Sequence, residues 1–188
     1  MVQLEHRRTS GTFPETLTSA QHGDEAAWAS IYRDLAGPIT GYLSSRGVAE
    51  PEDLTAEVFL QVARDIHRFD GDEVSFRSWV FVIAHRRMLD WRRAIGRRPV
   101  LVEQRSEDTP GGDVEEEAIE NIALTGVREV LETLTEDQRD VLTLRVIGDL
   151  SLEQTAAVTG KTVGAVKALQ RRALLTVKVE MEEGRVSL

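Results

Sequence analysis

The chain has 188 residues and a formal net charge of −9, and 41% of its residues are hydrophobic, which suits one or two small domains with packed cores. No stretch approaches the roughly 20 apolar residues of a membrane-spanning helix, and the N-terminus MVQLEHRRTSGTF lacks the apolar core of a secretory signal. Cysteine is absent, which excludes disulfides and thiolate metal sites, so we expect a cytoplasmic protein that makes no membrane contact of its own.

Apolar residues recur at helical spacing along most of the chain, and no run alternates strictly as a half-buried strand would. We therefore predict an all-α fold. Residues 1–18 are expected to form a flexible N-terminal tail. Helical patterning begins near GDEAAWASIYRDL and is expected to break at Gly37-Pro38, where Pro38 would open a second helix.

The next two predicted helices differ in charge. EPEDLTAEVF opens the first with acids that suit a helix N-terminus, although Glu57 lies a turn further in and could meet a basic protein surface. After the polar turn DGDEVS, the second helix has seven arginines and one acid between residues 77 and 98, which indicates an anionic partner. Its Phe76, Trp79 and Ile83 recur at helical spacing and are expected in the core rather than on a base-stacking surface.

The helical periodicity stops at residues 99–118. Pro110-Gly111-Gly112 and a run of acids indicate a flexible acidic linker there. We therefore predict two small helical domains, the first at residues 19–98 and the second at residues 119–182.

The second domain contains local signals for helix ends. TEDQ from Thr135 and SLEQ from Ser151 have the capping-box pattern, and Gly148 and Gly160 are expected as left-handed ends of the preceding helices. We expect four helices in this domain, of which the last two are short and joined by a tight turn.

The stretch SLEQTAAVTGKTVGAVKALQRRA has the build of a helix-turn-helix. Ala156 is small enough for a close helix crossing, and Val163, Val166 and Leu169 are expected to face inward. Residues 161–178 contain all three lysines of the chain and no acid, as a helix that meets DNA phosphates requires. An amphipathic helix that meets only water is the simpler alternative, but the capping box, the glycine turn and the small crossing residue together favour DNA binding.

These segments together resemble an extracytoplasmic-function (ECF) sigma factor of the sigma-70 family. DLTAEVFLQVARDIHRF, FRSWVFVIAHRRMLDWRR and LTEDQRDVLTLRVIGDLSLEQTAAVTGKTVGAVKALQRRAL carry the resemblance, which extends over about residues 20–178. It implies a region 2 domain at residues 19–98 and a region 4 helix-turn-helix domain at residues 119–182. The implied partners are RNA polymerase core (through the clamp helices and the flap of its large subunit), promoter DNA and an anti-sigma factor.

The resemblance also implies three sets of contact residues. The set that binds core polymerase is Asp53, Leu54, Glu57, Val58 and Leu60. The set that meets the minus-ten promoter element is Phe69, Asp70, Ser75, His85, Arg86, Asp90 and Arg93. The set that meets the minus-thirty-five element is Thr162, Lys167, Gln170, Arg171 and Arg172.

Three positions depart from the family pattern. Ala56 stands where the family often has Gln beside the docking Glu57. Ala168 and Leu169 stand where the recognition helix often has Ser-Arg. The Ala56 departure implies that one contact with core polymerase is missing, and the Ala168-Leu169 departure implies altered base readout and a promoter set of the chain's own.

Two other functions remain open at this point. One is an ordinary helix-turn-helix transcription regulator, which would need a sensing domain that residues 20–98 do not suggest. The other is an interaction protein that keeps the fold without promoter activity. Catalysis is not expected, because the sequence has no glycine-rich phosphate loop, HExxH motif or nucleophile elbow. Accordingly, no catalytic residue, metal ligand or cofactor is assigned.

Overall fold

The computed structural model describes residues 12–95, 127 and 129–183, and every regular element within these ranges is helical. The all-α prediction is confirmed. The first part contains α1 (Phe13–Gln21), α2 (Glu25–Ser45), α3 (Pro51–Asp65), a 3₁₀ turn (Ile66–Arg68) and α4 (Glu73–Ile95). The second contains helical residues 129–133, α5 (Glu136–Val146), α6 (Leu152–Thr159) and α7 (Val163–Glu182). The acidic linker predicted at residues 99–118 lies outside the described residues.

The first helix begins inside the segment that was expected to be a flexible tail. Glu15 accepts a hydrogen bond from the backbone N–H of Thr12 (2.8 Å), which fixes the start of α1. Leu17 and Ala20 are buried in the core. The tail prediction is therefore wrong for residues 13–18, because a short apolar stripe gains enough burial on the domain to order them. Residues 1–11 lie outside the described ranges.

The second helix runs through the position at which a break was predicted. Pro38 lies inside α2 and does not open a new helix. A proline in a helix costs about 3 kcal/mol, because it removes a backbone hydrogen bond and crowds the preceding turn. The apolar stripe continues across it from Leu35 to Ile39 and Tyr42, and each such buried side chain contributes about 1.5–3 kcal/mol. Burial on both sides of Pro38 thus outweighs the local signal.

Helices α3 and α4 complete the N-terminal core. Val58 and Val62 of α3 are fully buried, and Phe76 and Phe81 of α4 belong to the same core. Helix α4 begins at Glu73, so it takes up the second half of the predicted polar turn DGDEVS. The expectation that Phe76 belongs to the core is confirmed.

The helix ends of the second domain follow most of the predicted signals. Thr135 and Ser151 both form capping boxes, and Gly160 ends α6 with φ of 67°. The prediction for Gly148 is wrong: the left-handed residue after α5 is Asp149, with φ of 52°. Asp tolerates this conformation better than most residues, because its short polar side chain can hydrogen-bond locally.

The helix-turn-helix has the predicted inner side. Ala156 of α6, Val166 of α7 and Val141 of α5 form one small apolar cluster, and Val163 and Leu169 pack against it. The small side chain of Ala156 therefore lies where α6 and α7 meet, as the sequence indicated.

The two parts of the chain share a hydrophobic core. Leu144, Leu150 and Val158 from the C-terminal part belong to the same cluster of buried residues as α2, α3 and α4. At the same boundary, a Cβ on Gly148 would lie 3.2 Å from the Phe81 ring. The C-terminal part is thus packed directly on α2 and α4, in what we call the closed arrangement.

Replacement of Gly148 by alanine should test how tightly this boundary is packed. The new Cβ would lie 2.5 Å from the backbone oxygen of Leu144, so the backbone or Phe81 must shift. We expect the free energy of unfolding to fall by about 1–3 kcal/mol, measured by urea denaturation. Gly164→Ala is the matched control, because no atom lies within 4 Å of its added Cβ and alanine favours helix; stability should be unchanged or higher. Equal stability of the two variants would contradict the tight packing.

Candidate nucleic-acid and protein interfaces

Helix α7 presents the basic residues that were assigned to the minus-thirty-five element. Thr162 begins the helix by accepting a hydrogen bond from the backbone N–H of Ala165 (3.2 Å). Lys167, Arg171 and Arg172 are exposed, and Gln170 is half-buried. Lys167, Gln170 and Arg171 therefore share one side of α7 and line one groove, Thr162 caps the start of the helix, and Arg172 is exposed on its flank, while Val166 packs on α5 and α6.

Two further bases of this segment make ion pairs within the chain. Lys161 lies 3.0 Å from Asp137 of α5, and Lys178 lies 3.5 Å from Glu182 on its own helix. Leu174 and Leu175 continue the exposed side and line an open groove together with the basic residues. The surface thus combines positive charge with an apolar strip.

Residues 69–75, which we call the 69–75 loop, comprise the turn after the 3₁₀ segment and the first three residues of α4, and they have a defined shape. The Phe69 ring packs on Phe76 and Trp79, with centroid distances of 5.1 and 5.2 Å. Asp72 accepts a hydrogen bond from the backbone N–H of Ser75 (2.8 Å), which fixes the start of α4; hydrogen bonds from Ser75 lower the pKa of the Asp72 carboxyl. Asp70 and Ser75 are exposed, so this part of the predicted minus-ten set is accessible.

The predicted polymerase-binding set on α3 divides into exposed and buried residues. Asp53 and Glu57 are exposed, and Leu60 has 58% of its surface exposed. Leu54 and Val58 are only 7% and 0% exposed, so in this structure their assignment to direct contact with polymerase is wrong. They hold α3 in place through the core instead.

The acidic side of α3 also has a partner within the chain. Glu57 lies 3.8 Å from Arg87 of α4, and Arg87 donates a hydrogen bond to Gln61 (3.1 Å). Both charged side chains are substantially exposed, and such pairs contribute little stability. Glu57 therefore remains available to another cation at small cost.

The arginine-rich helix α4 has only part of its predicted surface facing water. Arg86, Asp90 and Arg93 are exposed, and Arg93 pairs with Asp90 at 2.9 Å. His85 is only 7% exposed, and its Nδ1 lies 2.6 Å from the Tyr42 hydroxyl, which in turn donates to Asp140 of α5. Its assignment to DNA contact is therefore wrong for the closed arrangement. Arg92 donates hydrogen bonds to Glu136 of α5.

Four buried polar residues meet where the two parts of the chain join, and we call them the junction cluster. Arg46 pairs with Asp140 at 2.9 Å, with side chains 2% and 8% exposed. The Tyr42 hydroxyl donates to Asp140 (3.1 Å) and lies 2.6 Å from Nδ1 of His85. Since Tyr42 gives its single proton to Asp140, Nδ1 of neutral His85 donates to the Tyr42 oxygen. Sequence reasoning missed this cluster.

Burial dominates the proton affinities in the junction cluster. It lowers the pKa of His85, an effect that Arg46 and Lys161 reinforce and the Asp140 carboxylate opposes. Burial raises the pKa of Asp140, which Arg46, His85 and the hydrogen bond from Tyr42 counteract. Burial likewise raises the pKa of Tyr42 well above its ordinary value. Near neutral pH the cluster thus holds neutral His85, neutral Tyr42 and one Arg46–Asp140 pair.

Two negative findings apply to the described ranges. Between residues 12 and 95 and between 129 and 183, no helix is both long and apolar enough to cross a membrane. Across that same part of the chain, no group of three or more histidine or acidic side chains is placed to hold a metal ion.

Comparison with known proteins identifies the two parts of the chain. Residues 29–98 match Sigma-70 region 2, and residues 124–177 match Sigma-70, region 4. The order of the two regions agrees with the resemblance read from the sequence.

Curated relatives cover nearly the whole chain. The ECF RNA polymerase sigma factor BldN of Streptomyces coelicolor is 30% identical over 185 residues, which cover 92% of this chain and 69% of BldN. The ECF RNA polymerase sigma factor SigD of Mycobacterium tuberculosis is 31% identical over 173 residues, covering 88% of this chain and 82% of SigD.

A solved structure shares the fold. It is the sigma factor RpoE in complex with the anti-sigma factor NepR from Bartonella quintana, with a TM-score of 0.65 and 19% identity over 82% of this chain and 96% of RpoE. The two matched regions and the 30–31% identity to curated relatives show that this chain belongs to the ECF RNA polymerase sigma factors.

Proposed function

We propose that this chain is a non-catalytic initiation subunit whose exposed surfaces on α3, residues 69–75 and α7 meet core polymerase, the minus-ten element and the minus-thirty-five element in turn. The phosphodiester chemistry belongs to the polymerase. The observation that carries the proposal is the exposed side of α7, where Lys167, Arg171 and Arg172 project from a capped helix of a packed helix-turn-helix. An ordinary regulator would not need the region 2 part that precedes it.

The burial of individual residues refines the proposed contact sets. Asp53, Glu57 and Leu60 would touch polymerase, while Leu54 and Val58 support them from inside α3. The minus-ten contacts would come from Phe69, Asp70, Ser75, Arg86, Asp90 and Arg93, and the 69–75 loop would capture a base that flips out of the minus-ten element. The minus-thirty-five contacts would come from Thr162, Lys167, Gln170, Arg171 and Arg172. The region 2 unit would begin with α1 at residue 13 rather than at residue 19.

The closed arrangement is the proposed resting form of the chain. In this form Arg92 of α4 is bound to Glu136 of α5 and His85 is buried, so the two regions would have to separate before a partner could reach His85. An anti-sigma factor is the proposed partner that keeps the two regions inactive, as the NepR complex of a similarly folded sigma factor supports. Binding of core polymerase would favour the open form.

Run-off transcription on a genomic fragment library with sigma-free bacterial core polymerase tests the function. We expect discrete new start sites with the wild-type chain. Glu57→Lys should weaken core binding about ten-fold or more, because the new lysine would lie beside Arg87 and replace the negative charge proposed to meet polymerase. Arg171→Glu should leave core binding intact but weaken promoter binding by the holoenzyme several-fold, with a salt dependence shallower by about one to two charges.

Matched charge reversals serve as controls in that experiment. Asp34→Lys and Arg33→Glu change exposed residues of α2, so core and promoter binding should stay within two-fold of wild type. Start sites that survive both Glu57→Lys and Arg171→Glu would contradict the assigned surfaces. If the wild-type chain neither binds core polymerase nor produces transcripts, the sigma function is contradicted.

Asp140→Asn should shift the chain towards the open form. The change leaves buried Arg46 with only the exposed Glu136 carboxylate at 4.0 Å as a counterion, which costs roughly 3 kcal/mol in the closed form and is relieved when water reaches Arg46. Energy transfer between dyes on Ala63→Cys and Ala168→Cys reports the change, since the chain has no other cysteine. The double variant Arg46→Met, Asp140→Leu should remain closed, because both charges are gone. If Asp140→Asn transfers energy as efficiently as wild type, the pair does not hold the two regions together.

The closed fraction should also fall with pH through His85. Burial lowers the pKa of His85 in the closed form, so the open form, with an ordinary pKa near 6.5, binds the proton better. This contribution to closure is fully present above the open-form pKa of about 6.5 and is lost progressively as pH falls from there through the lowered pKa of the closed form. Asp140, whose pKa is raised in the closed form, acts in the opposite direction at lower pH.

Dye energy transfer between pH 8 and 6 measures this dependence. His85→Gln retains a group that can hydrogen-bond Tyr42 but cannot be protonated in this range, so its profile should be flatter than that of wild type. Identical profiles would exclude His85 as the titrating group.

A further inference from the structure

One glutamine links the first helix to the loop proposed to capture a base. Gln21, the last residue of α1, donates through Nε2 to the backbone oxygens of Ile66 (3.0 Å) and Phe69 (2.9 Å). These oxygens lie in the 3₁₀ turn after α3 and at the first residue of the loop 69–75. A single side-chain amide therefore fixes the point at which the chain leaves α3 and enters the loop.

The helix that carries Gln21 is itself held in place. Leu17 and Ala20 are 6% and 2% exposed, and the Trp28 indole N–H donates to the backbone oxygen of Ala20 (3.1 Å). At the other end of α1, the Phe13 ring lies 5.5 Å from Phe76. The amide of Gln21 thus acts from a rigid support, and it is half-buried, which limits competition from water.

The loop is fixed at both ends and accessible in the middle. Gln21 holds its first residue, and the Asp72 carboxylate holds its last by accepting from the Ser75 N–H. Gly71 passes so close to the Phe69 ring that an added Cβ would lie 3.0 Å from it. Asp70 and Gly71 remain exposed between these supports. This is the build of a small recognition loop whose polar groups are positioned before a ligand arrives.

We propose that Gln21 is a positioning residue for base recognition in the minus-ten element, through the shape it gives to residues 69–75. The proposal rests on the proposed function, in which this loop takes up an unpaired base. A loop that samples several shapes must be ordered on binding, and the cost of that ordering reduces the difference between the correct base and the others. Gln21 lies outside the residues that match Sigma-70 region 2, and it touches the loop rather than the DNA.

The test compares two replacements of Gln21 in the full chain with core polymerase. Gln21→Met keeps the length of the side chain but cannot donate, whereas Gln21→Lys keeps a donor. A promoter from the genomic run-off experiment supplies forked templates with each of the four bases at each minus-ten position. We expect Gln21→Met to reduce base discrimination about five-fold or more at the captured position, while core affinity stays within two-fold of wild type. Gln21→Lys should retain most of the discrimination.

Two further variants separate the possible outcomes. Thr18→Val changes the exposed side of the same helix and should behave as wild type. Asp70→Ala changes the loop itself and should lose discrimination. If Asp70→Ala loses it and Gln21→Met does not, the role of Gln21 is overturned while the proposed function stands. If neither variant changes base discrimination although the wild-type chain discriminates, the 69–75 loop does not recognise the base. Both the role of Gln21 and the proposed function of the loop would then be contradicted.

Equal losses in Gln21→Met and Gln21→Lys would show that hydrogen-bond donation is not the cause and would overturn the proposal. A parallel fall of core affinity, melting temperature and discrimination in Gln21→Met would also overturn it, because a purely structural role predicts that result.

Discussion

The buried pair of Arg46 and Asp140 determines how the two regions of this sigma factor fit together. The apolar contacts of Leu144, Leu150 and Val158 supply stabilisation, but apolar surfaces tolerate sliding. The Arg46–Asp140 pair does not tolerate sliding. The two charged groups are 2.9 Å apart and their side chains are 2% and 8% exposed, so a small shift would separate the charges without giving them access to water. The apolar contacts therefore supply affinity between the regions, and the polar pair fixes their relative position.

The closed arrangement treats the two proposed DNA surfaces differently. The basic side of α7 is exposed, whereas His85 of α4 is buried and Arg92 of α4 is bound to Glu136 of α5. A ligand can open the chain only by as much as its affinity for the open form exceeds its affinity for the closed one. The affinity of a ligand that contacts only α7 should be the same in the two forms, because the basic side of α7 is already exposed in the closed form. The affinity of a partner that binds Arg92 or His85 does differ, because the first is bound to Glu136 and the second is buried in the closed form.

Local sequence signals predicted the elements that depend on local chemistry. The capping boxes at Thr135 and Ser151 join residues three positions apart, and helical spacing identified which side of α7 is inward. Signals failed where tertiary burial decided the outcome, as at Pro38 and in α1. For the contact residues, the family resemblance aligns sequence positions but carries no information on their burial. Leu54, Val58 and His85 were therefore assigned to contacts that their burial prevents in this structure. Tyr42 and Asp140 are 98 residues apart, and no periodicity connects them.

The segregated charge of the chain has a consequence within the closed form. The acidic first turn of α5 meets bases that the sequence assigned to an anionic partner: Glu136 binds Arg92, and Asp137 binds Lys161. These pairs are partly exposed, so each is worth about 1 kcal/mol or less and salt weakens it. Phosphates can replace them readily. The Arg46–Asp140 pair cannot be exchanged in this way, because it is buried and neither partner faces a path to DNA while the regions are closed. The surface pairs thus leave Arg92 and Lys161 exchangeable at small cost, whereas opening the chain must separate and rehydrate the buried Arg46–Asp140 pair.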